Sequence, residues 1–298
     1  MKIENFAAID IGSNAIRLLI ANVIIKEGFP VKFIKSSIVR VPIRLGQESF
    51  TIGEISSKNI TKIVKTIKAF KHIIKVNEVK SSLVFATSAL REANNSKQVI
   101  QEVKKKTKIK IEIIDGRKEA KIISLNNIFE FINKNRTFIF VDVGGGSTEF
   151  SIIANGKRKK SKSFKIGTIR MINKMISKDV WEQIRLWIKS NVRQHSKIAL
   201  IGSGGNINKI FKIAGVLDTR PLTLIKLNSI YKKLIKMSFD ERIIYMGLNP
   251  DRSDVIIPAA EIFLKALEWS GSKEIYVPRM GLADGMIKFL YSKNTKHI

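Results

Sequence analysis

The chain has 298 residues, of which 44% are hydrophobic, and it contains no cysteine. This length favours two domains over one large core, and the absence of cysteine excludes disulfides, thiolate zinc sites and cysteine-nucleophile phosphatases. Neither a membrane span of about 18 apolar residues nor a signal peptide is indicated, so we expect a cytoplasmic protein with no membrane partner.

The net charge is +29, from 54 basic and 25 acidic residues. One interpretation is attraction to a polyanion such as nucleic acid, polyphosphate or an acidic membrane surface. The other is compositional, because most of the basic residues are lysine and AT-rich coding favours lysine. Under either interpretation the electrostatic field favours a polyanionic substrate.

Strand-like and helix-like stretches alternate along the first half, which predicts an α/β architecture. Apolar residues recur at helical spacing over residues 57–76, with lysines on the other face. Further helices are predicted over 96–106 and 117–132. The predicted strands are "FAAIDIG", "AIRLLIANVI", "SLVFATSA" and "IKIEIIDG".

The pattern then restarts with a strand over 137–143 and a second one over 149–154. Later strands are predicted in "SKSFKIG", "KIALIGSGG" and "KEIYVP". The predicted helices cover about 167–176, 178–193, "NINKIFKIAG", 226–247 and 251–269, and a last one follows "RMGLADG".

Two stretches resemble each other: "AAIDIGSN" and "IFVDVGGGS" both run apolar–apolar–Asp–apolar–Gly. Their aspartates, Asp10 and Asp142, each end the first strand of a half and precede a second strand. We therefore predict two related domains, joined near residues 120–135, whose loops face one cleft. Chance similarity between glycine turns is the alternative.

The chemistry of these loops excludes two common phosphate-binding designs. A Walker loop ends in Gly-Lys-Ser/Thr before a helix, and a dinucleotide fingerprint also needs a helix after its glycines. Here the lysine is missing and a strand follows. Asp10, Asp142 and Glu149 lie beside the turns, and their oxygens suit Mg²⁺ bridging to phosphate. The simpler alternative is that Asp142 caps a turn.

Three further features allow both a chemical and a structural interpretation. Glu119 could accept a proton from water, although glutamate is also common in a first helical turn. Arg91 could clamp a phosphate or be one surface charge among many. The turn "LIGSGGNI" precedes a helix whose N-terminus could bind an anion.

Seven motifs occur in an order that matches one known family. They are "AAIDIGSNAIRLLIA", "FATSALREA", "IDGRKEAK", "FVDVGGGSTEFSI", "ALIGSGGNI", "MGLNPDRSDVIIPAAEIF" and "GLADG". Together they resemble the exopolyphosphatase / guanosine pentaphosphate phosphatase (Ppx/GppA) family, in its short two-domain form. The resemblance implies two ribonuclease-H-like domains of the actin / Hsp70 / sugar-kinase superfamily around a central cleft. We place the domains at 1–124 and 125–298, and the last helix could pack back on the first.

The resemblance also implies roles for individual residues. Glu119 matches the general base, and Arg91 matches the phosphate-binding arginine. Asp142 and Glu149 match catalytic carboxylates that hold Mg²⁺ (or Mn²⁺), with Asp10 as a further metal ligand. The implied phosphate-binding residues are Gly12, Ser13, Asn14, Gly144, Gly145, Gly146, Ser147, Thr148, Gly204 and Gly205.

Some positions depart from the family pattern. Lys118 replaces a glutamate, Ala15 a serine and Asn206 a threonine, while Ala283 and Asp284 replace Arg-Glu. None of these changes removes a core catalytic group, although they could shift substrate preference. The longer members' C-terminal helical domain is absent from the sequence, so we do not expect processivity on very long chains.

The function implied is a Mg²⁺-dependent acid anhydride hydrolase. It would release terminal phosphate from inorganic polyphosphate, or the 5′ γ-phosphate of guanosine pentaphosphate, through water activated by Glu119. A homodimer is expected from the family, and nucleic acid is not the expected partner. The alternatives are an ATP-using enzyme of the superfamily and a non-catalytic polyanion-binding protein.

Overall fold

The computed structural model describes residues 1–126, 136–195 and 197–295, and these form two compact units. The first unit contains the residues up to Asn126 together with those from Leu282 onward, and the second contains the described residues between them, 136–195 and 197–281. The sequence predicted a boundary between residues 124 and 125 and a join near 120–135. Most of that join, residues 127–135, lies outside the described residues.

The first unit contains a five-stranded mixed sheet with the order β3-β2-β1-β4-β5. Strands β1, β2 and β3 are antiparallel neighbours, while β4 and β5 run parallel to β1. Its strands are β1 (Lys2–Ile11), β2 (Ala15–Ile25), β3 (Lys32–Pro42), β4 (Ser81–Ala86) and β5 (Glu112–Ile113). Its first five helices are α1 (Leu45–Thr51), α2 (Ser57–Val76), α3 (Ser88–Glu92), α4 (Ser96–Thr107) and α5 (Gly116–Ile123).

Helix α2 shows how the sequence determines these elements. Ser56 caps its N-terminus by accepting a hydrogen bond from the amide of Asn59. Ile60, Ile63 and Ile67 are buried at helical spacing, and the lysines of the helix face solvent. The predicted bounds, 57–76, are those of the observed helix.

The second unit contains a six-stranded sheet with the order β10-β11-β9-β6-β7-β8. Its strands are β6 (Thr137–Val143), β7 (Thr148–Ala154), β8 (Lys157–Phe164), β9 (Ile198–Ser203), β10 (Leu222–Thr223) and β11 (Glu274–Tyr276). Its helices are α6 (Thr168–Ile172), α7 (Val180–Val192), α8 (Gly205–Ala214), α9 (Leu224–Lys236), α10 (Phe239–Met246), α11 (Pro250–Ser253) and α12 (Ile256–Ser270).

The two sheets share one connection pattern. Strands β6, β7 and β8 form antiparallel neighbours, and β9 and β11 are added parallel to β6 on the other side. This is the arrangement of β1 to β5 in the first unit, with β10 as an additional antiparallel edge. The similarity of the Asp10 and Asp142 loops therefore reflects a repeated three-dimensional pattern and not chance.

The last helix, α13 (Leu282–Thr295), belongs to the first unit. It packs on β1 and on α5, where a Cβ atom at Gly285 would lie 2.1 Å from the carbonyl oxygen of Ile122. Only glycine permits this separation, since the neighbouring atom is backbone. The contact fixes α5, the helix that carries Glu119.

Several elements differ from the sequence predictions. Strand β3 and helix α1 were not predicted. The predicted helix over 226–247 is divided into α9 and α10, because Ser238 and Glu241 form a capping box that starts a new helix. The segment 251–269 is likewise divided, because α11 ends at Ser253 with Asp254 as its C-cap and α12 begins at Ile256. The predicted helix over 117–132 is helical to Asn126 through a short 3-10 turn, and its remainder lies outside the described residues.

Within the described ranges, no helix combines the length and the apolar content that a bilayer crossing would need.

Candidate active site

The first loop is the tight turn between β1 and β2. The amide of Gly12 donates to the carbonyl oxygen of Ala15 at 3.1 Å, and this bond closes the turn. Asp10 lies opposite Arg17 in the register, with 3.5 Å between Asp10 Oδ2 and Arg17 Nη1. Asp10 is buried. Burial raises the pKa of its carboxyl, and the Arg17 guanidinium opposes part of that rise.

The carbonyl groups of this loop are held by the segment that enters α1. Ser13 O accepts from the amide of Gly46 at 2.8 Å, and Asn14 O accepts from the amide of Arg44 at 3.0 Å. The hydroxyl oxygens of Ser13 and Ser88 lie 2.9 Å apart, which connects the loop to helix α3. Among the described residues, the amide of Ser13 donates no backbone hydrogen bond. The peptide orientation therefore leaves an N–H donor at the turn.

Helix α5 positions the predicted general base. Asp115 caps the helix by accepting from the amide of Lys118 at 2.7 Å. Glu119 follows in the first turn and is buried. Arg91 Nη1 lies 3.9 Å from Glu119 Oε2 and donates to the carbonyl of Ile114 at 2.8 Å. The first unit thus brings together the two residues that sequence reasoning assigned to water activation and phosphate binding.

The second loop, between β6 and β7, repeats the geometry of the first. The amide of Gly144 donates to the carbonyl of Ser147 at 3.0 Å. A Cβ atom at Gly144 would lie 2.9 Å from that carbonyl oxygen, so the turn requires glycine. Asp142 lies opposite Glu149 in the register, and carboxylate oxygens of the two residues lie within 4.8 Å of one another.

Glu149 is buried and is oriented by two hydroxyl groups. Ser147 Oγ donates to Glu149 Oε1 at 2.6 Å, and Ser163 Oγ on β8 donates to the same oxygen at 2.9 Å. The hydroxyl of Thr148 instead donates to the carbonyl of Ile166 at 2.7 Å. The hydroxyl of Thr148 therefore bonds a main-chain carbonyl and does not orient Glu149.

Helix α6 holds the carbonyl groups of the second loop. The amide of Thr168 donates to Gly144 O at 3.0 Å, and the amide of Ile169 donates to Gly145 O at 2.9 Å. The buried side chain of Arg170 adds a third bond, from Nε to Gly146 O at 2.7 Å. With the carbonyls turned towards α6, the loop amides face the other way.

Two consequences of this packing concern the glycines. A Cβ atom at Gly167 would lie 2.5 Å from the backbone of Gly145, so the helix and the loop approach closely only because Gly167 has no side chain. In the part of the chain that the structure describes, the amides of Gly145 and Gly146 donate no backbone hydrogen bond. These two N–H groups are suited to donate hydrogen bonds to an anion.

The third glycine turn joins β9 to α8. Gly204 adopts a φ of 108°, and a Cβ atom there would lie 3.4 Å from Asp142 Oδ1 and 3.1 Å from Val143 O. Gly205 begins α8. The turn therefore packs directly against the loop that carries Asp142, as expected if β9 pairs with β6.

The predicted site residues thus fall into two groups. The first unit holds Asp10, Gly12, Ser13, Asn14, Arg91 and Glu119, and the second holds Asp142, Gly144, Gly145, Gly146, Ser147, Thr148, Glu149, Gly204 and Gly205. Sequence reasoning missed the residues that fix these groups: Ser88, Ser163, Gly167 and Arg170. The one signal for them is "GTIR" (167–170), a glycine followed by a short helix after the third strand.

Two of the positions that depart from the family pattern, Lys118 and Asp284, find partners within the first unit. Lys118 pairs with Glu112, and its ammonium lies 5.1 Å from the ring centre of Phe85. Asp284 accepts an ion pair from Lys35 at 2.8 Å. These two substitutions are therefore accommodated by local ion pairs.

Comparison with known proteins shows the family to which the chain belongs. The sequence profile of the Ppx/GppA phosphatase family matches residues 25–296. The chain belongs to the Ppx/GppA phosphatase family. Among its relatives is the bifunctional 3-dehydroquinate synthase/phosphatase of Fusobacterium nucleatum, which is 30% identical over 294 residues. The alignment covers 91% of this chain but 44% of that protein, so the chain spans less than half of it.

A second relative is exopolyphosphatase 1 of Mycobacterium leprae, which is 22% identical over 94% of this chain and 87% of its own length. Solved structures confirm the predicted α/β class and the two ribonuclease-H-like sheets. An exopolyphosphatase from Cytophaga hutchinsonii superposes with a TM-score of 0.83 at 22% identity, over 97% of this chain and 98% of its own. The Aquifex aeolicus family member gives 0.75 at 23% identity, over 99% of each chain.

Proposed function

We propose that this member of the phosphatase family hydrolyses the terminal phosphoanhydride bond of inorganic polyphosphate, or the 5′ γ-phosphate of guanosine pentaphosphate, with Mg²⁺ (or Mn²⁺) as cofactor. The observation that carries the proposal is the second loop. It places a pair of carboxylates, Asp142 and Glu149, beside glycine amides that donate no backbone hydrogen bond among the described residues. The names of the two exopolyphosphatase relatives point to the same substrate class.

The donor set fits a hard divalent cation. Asp142 and Glu149 offer carboxylate oxygens within 4.8 Å of one another, and oxygen ligands are those that Mg²⁺ prefers. Ser147 and Ser163 fix Glu149 through hydrogen bonds, which is the support that metal-binding carboxylates commonly have. When bound, the ion neutralises charge on the phosphoryl oxygens. Asp10 supplies a further carboxylate in this proposal, provided that its ion pair with Arg17 loosens.

The glycine loop supplies the phosphate-binding donors. The amides of Gly145 and Gly146 would hydrogen-bond the oxygens of the terminal phosphate, and Arg91 would bind phosphate through its guanidinium. Gly204 and Gly205 add the start of helix α8, whose N-terminus favours anions. Orientation of the phosphate by fixed donors accounts for much of the catalysis in phosphoryl transfer.

Glu119 is proposed to take the proton from the attacking water. It is the buried carboxylate at the start of α5, and its position is determined by the Asp115 cap and by Arg91. A general base contributes about 10²–10⁴-fold to a rate. The products would be inorganic phosphate and a chain, or nucleotide, shorter by one phosphate.

The test is phosphate release from polyphosphate, guanosine pentaphosphate and ATP at equal concentrations, with Mg²⁺ and with EDTA. We expect release from at least one of the first two substrates, little release from ATP, and none with EDTA. Glu119→Gln should lower kcat about 10²–10⁴-fold. Glu78→Gln is the matched control, because Glu78 is an exposed carboxylate of the same unit.

Full activity of Glu119→Gln would refute its assignment as the base, whereas activity in EDTA would refute the metal. Clear preference for ATP would favour an ATP-using enzyme instead. Salt-sensitive binding of polyphosphate without turnover would favour a non-catalytic polyanion-binding protein.

A further inference from the structure

Helix α10 turns apolar side chains to solvent. None of its eight residues is buried, and the side chains of Ile244 and Tyr245 are 70% and 71% exposed. Residues four apart share one side of a helix, so the exposed Asp240 lies in line with Ile244, and the exposed Glu241 with Tyr245. We call these four residues the α10 face.

The α10 face differs from the outer face of α2, another surface helix. Helix α2 buries its isoleucines and turns lysines to solvent. Lysine and arginine make up 54 of the 298 residues, yet α10 contains no lysine and exposes two acidic and two apolar residues instead. A single exposed apolar side chain needs no explanation. Two neighbours on a helix that buries none of its residues call for a contact outside the chain.

Polar bonds hold α10 in place although it buries no side chain. Its capping box fixes the first turn. Arg242 donates from Nε to the carbonyl oxygen of Met237 at 3.2 Å and from Nη1 to that of Ser253. The fully buried Ser253 donates from its hydroxyl to the carbonyl oxygen of Phe239 at 2.7 Å. The helix is therefore fixed from one side and presents the α10 face on the other.

The two ends of α10 carry opposite charge. Its first turn holds the two acidic residues of the α10 face. At the other end Lys209, from α8, donates from its ammonium to the carbonyl oxygen of Gly247 at 2.8 Å. Burial lowers the pKa of Lys209, and the nearby charges of Lys212 and Arg252 lower it further. The helix macrodipole favours this polarity, which also makes the face complementary to a reversed copy of itself.

A second copy of the chain fits this face in an antiparallel orientation. Asp240 precedes Ile244 by four residues (244 − 240), and Gly247 follows it by three (247 − 244). At a rise of about 1.5 Å per residue, a two-fold axis at Ile244 places Asp240 opposite Gly247 of the partner subunit, and therefore close to Lys209 of the partner subunit. Ile244 and Tyr245 meet their own copies at the axis. The symmetry forms each contact twice.

We propose that the α10 face is a self-association surface, through which two copies of the chain form a symmetric antiparallel dimer. The net charge of +29 opposes association at long range. At physiological ionic strength the Debye length is about 8 Å, so the charges next to the face dominate. Two helices of eight residues make a small contact compared with the roughly 1,200–2,000 Å² of a specific interface. We therefore expect a Kd in the micromolar range.

Sedimentation velocity over a concentration series measures the dimer without any assay of activity, so its outcome does not depend on the proposed function. Ile244→Asp and Tyr245→Asp should each raise Kd at least about tenfold, because each places a charge at the centre of the contact. Ile225→Asp is the matched control. It introduces the same charge at an isoleucine that is 84% exposed but lies in the first turn of α9, and it should leave Kd unchanged.

An exchange of charges tests the antiparallel orientation. Asp240→Lys and Lys209→Glu should each weaken self-association, because each variant places like charges opposite one another at both ends of the contact. When the two variants are mixed, every pair across the contact again joins opposite charges. The mixed dimer should therefore form at least about tenfold more tightly than either variant associates with itself.

A wild type that stays monomeric up to about 1 mM would overturn the inference. So would a dimer that neither Ile244→Asp nor Tyr245→Asp weakens, or an equal weakening by Ile225→Asp, which would indicate a general charge effect. Mixed variants that associate no better than each alone would overturn the antiparallel orientation. Circular dichroism checks that each variant is folded, and Lys212→Glu replaces Lys209→Glu if the latter unfolds the chain.

Discussion

The two glycine turns that end β1 and β6 have one backbone geometry and opposite side-chain chemistry. In both, an aspartate pairs across the hairpin with the residue seven positions later. That residue is Arg17 in the first unit and Glu149 in the second. The same position therefore neutralises Asp10 in one loop and places a second carboxylate beside Asp142 in the other, so the second loop is the one suited to hold a cation.

The anchoring of the two loops differs in a corresponding way. Each is held by backbone amides from the segment after the third strand of its sheet. The second loop has two contacts in addition: the approach of Gly167 to Gly145 and the hydrogen bond from the Arg170 side chain. The second loop is therefore fixed by more contacts than the first. Such support is what the proposed phosphate-binding role requires.

The largest effect that separates the loops is expected from alanine at Gly167. Its Cβ atom would meet the backbone of Gly145 at 2.5 Å, whereas alanine at Gly12 would place its Cβ 3.3 Å from Ala15 O. Gly167→Ala should cost about 1–3 kcal/mol of stability and, through displacement of the loop, about 100-fold in kcat. Denaturant unfolding and phosphate release measure the two quantities. Equal losses of stability and of kcat in Gly167→Ala and Gly12→Ala would contradict the conclusion that the second loop is the more tightly supported one.

The Arg170 side chain is expected to matter next. Arg170→Met removes a buried donor to Gly146 O and should cost about 1.5–3 kcal/mol in unfolding experiments. As a positioning residue it should raise KM as well as lower kcat, and Arg170→Lys should recover only part of the loss because lysine has no Nε–H fork. Wild-type kinetics in Arg170→Met with an unaltered free energy of unfolding would contradict the role.

A smaller effect is expected from replacing the serine that supports each loop, Ser163 or Ser88. The two variants should differ in the Mg²⁺ concentration that they need for activity. Ser163→Ala removes a hydrogen bond to Glu149 and should raise the Mg²⁺ concentration for half-maximal activity about tenfold. Ser88→Ala removes the contact with Ser13 and should leave that concentration unchanged. Titration of activity with Mg²⁺ distinguishes the two variants. An equal shift in both would show that the second loop is not the metal side.

Much of this site was readable from local sequence. The two Asp-Gly turns, the absence of a Walker lysine and the glutamate at the start of α5 are short-range features, and turn chemistry determines them. Strand β3 was missed because it is an edge strand with mixed burial, so its sequence shows no regular alternation of apolar and polar residues.

The supporting serines, Ser163 and Ser88, could not be predicted, because their positions depend on register and on long-range packing. The Asn155–Gly156 turn pairs Ala154 with Lys157, and that register would place Lys162 opposite Glu149. A bulge between Ile152 and Ile153 shifts the pairing, so that Ser163 faces Glu149 instead. Likewise Ser13 meets Ser88, 75 residues away, only because β1 and β4 pair in parallel.

The last prediction concerns stability alone and uses pH to test the buried carboxyl of Asp10. Burial raises the pKa of Asp10 above its ordinary value of 3.8, despite Arg17. Asp10 therefore ionises at a lower pH in the unfolded chain than in the folded one. As a result, the free energy of unfolding falls as pH rises from about 3.8 through the pKa of Asp10 in the folded chain. Asp10→Asn removes this penalty, so without divalent cation it should be more stable than the wild type at pH 7. The gain should disappear well below pH 3.8, where the carboxyl is protonated in both the folded and the unfolded wild type. Unfolding by urea at a series of pH values measures the difference. A gain that is equal at pH 3 and pH 7 would show that the asparagine acts through packing. It would contradict the claim that the ionised carboxylate of Asp10 destabilises the folded chain.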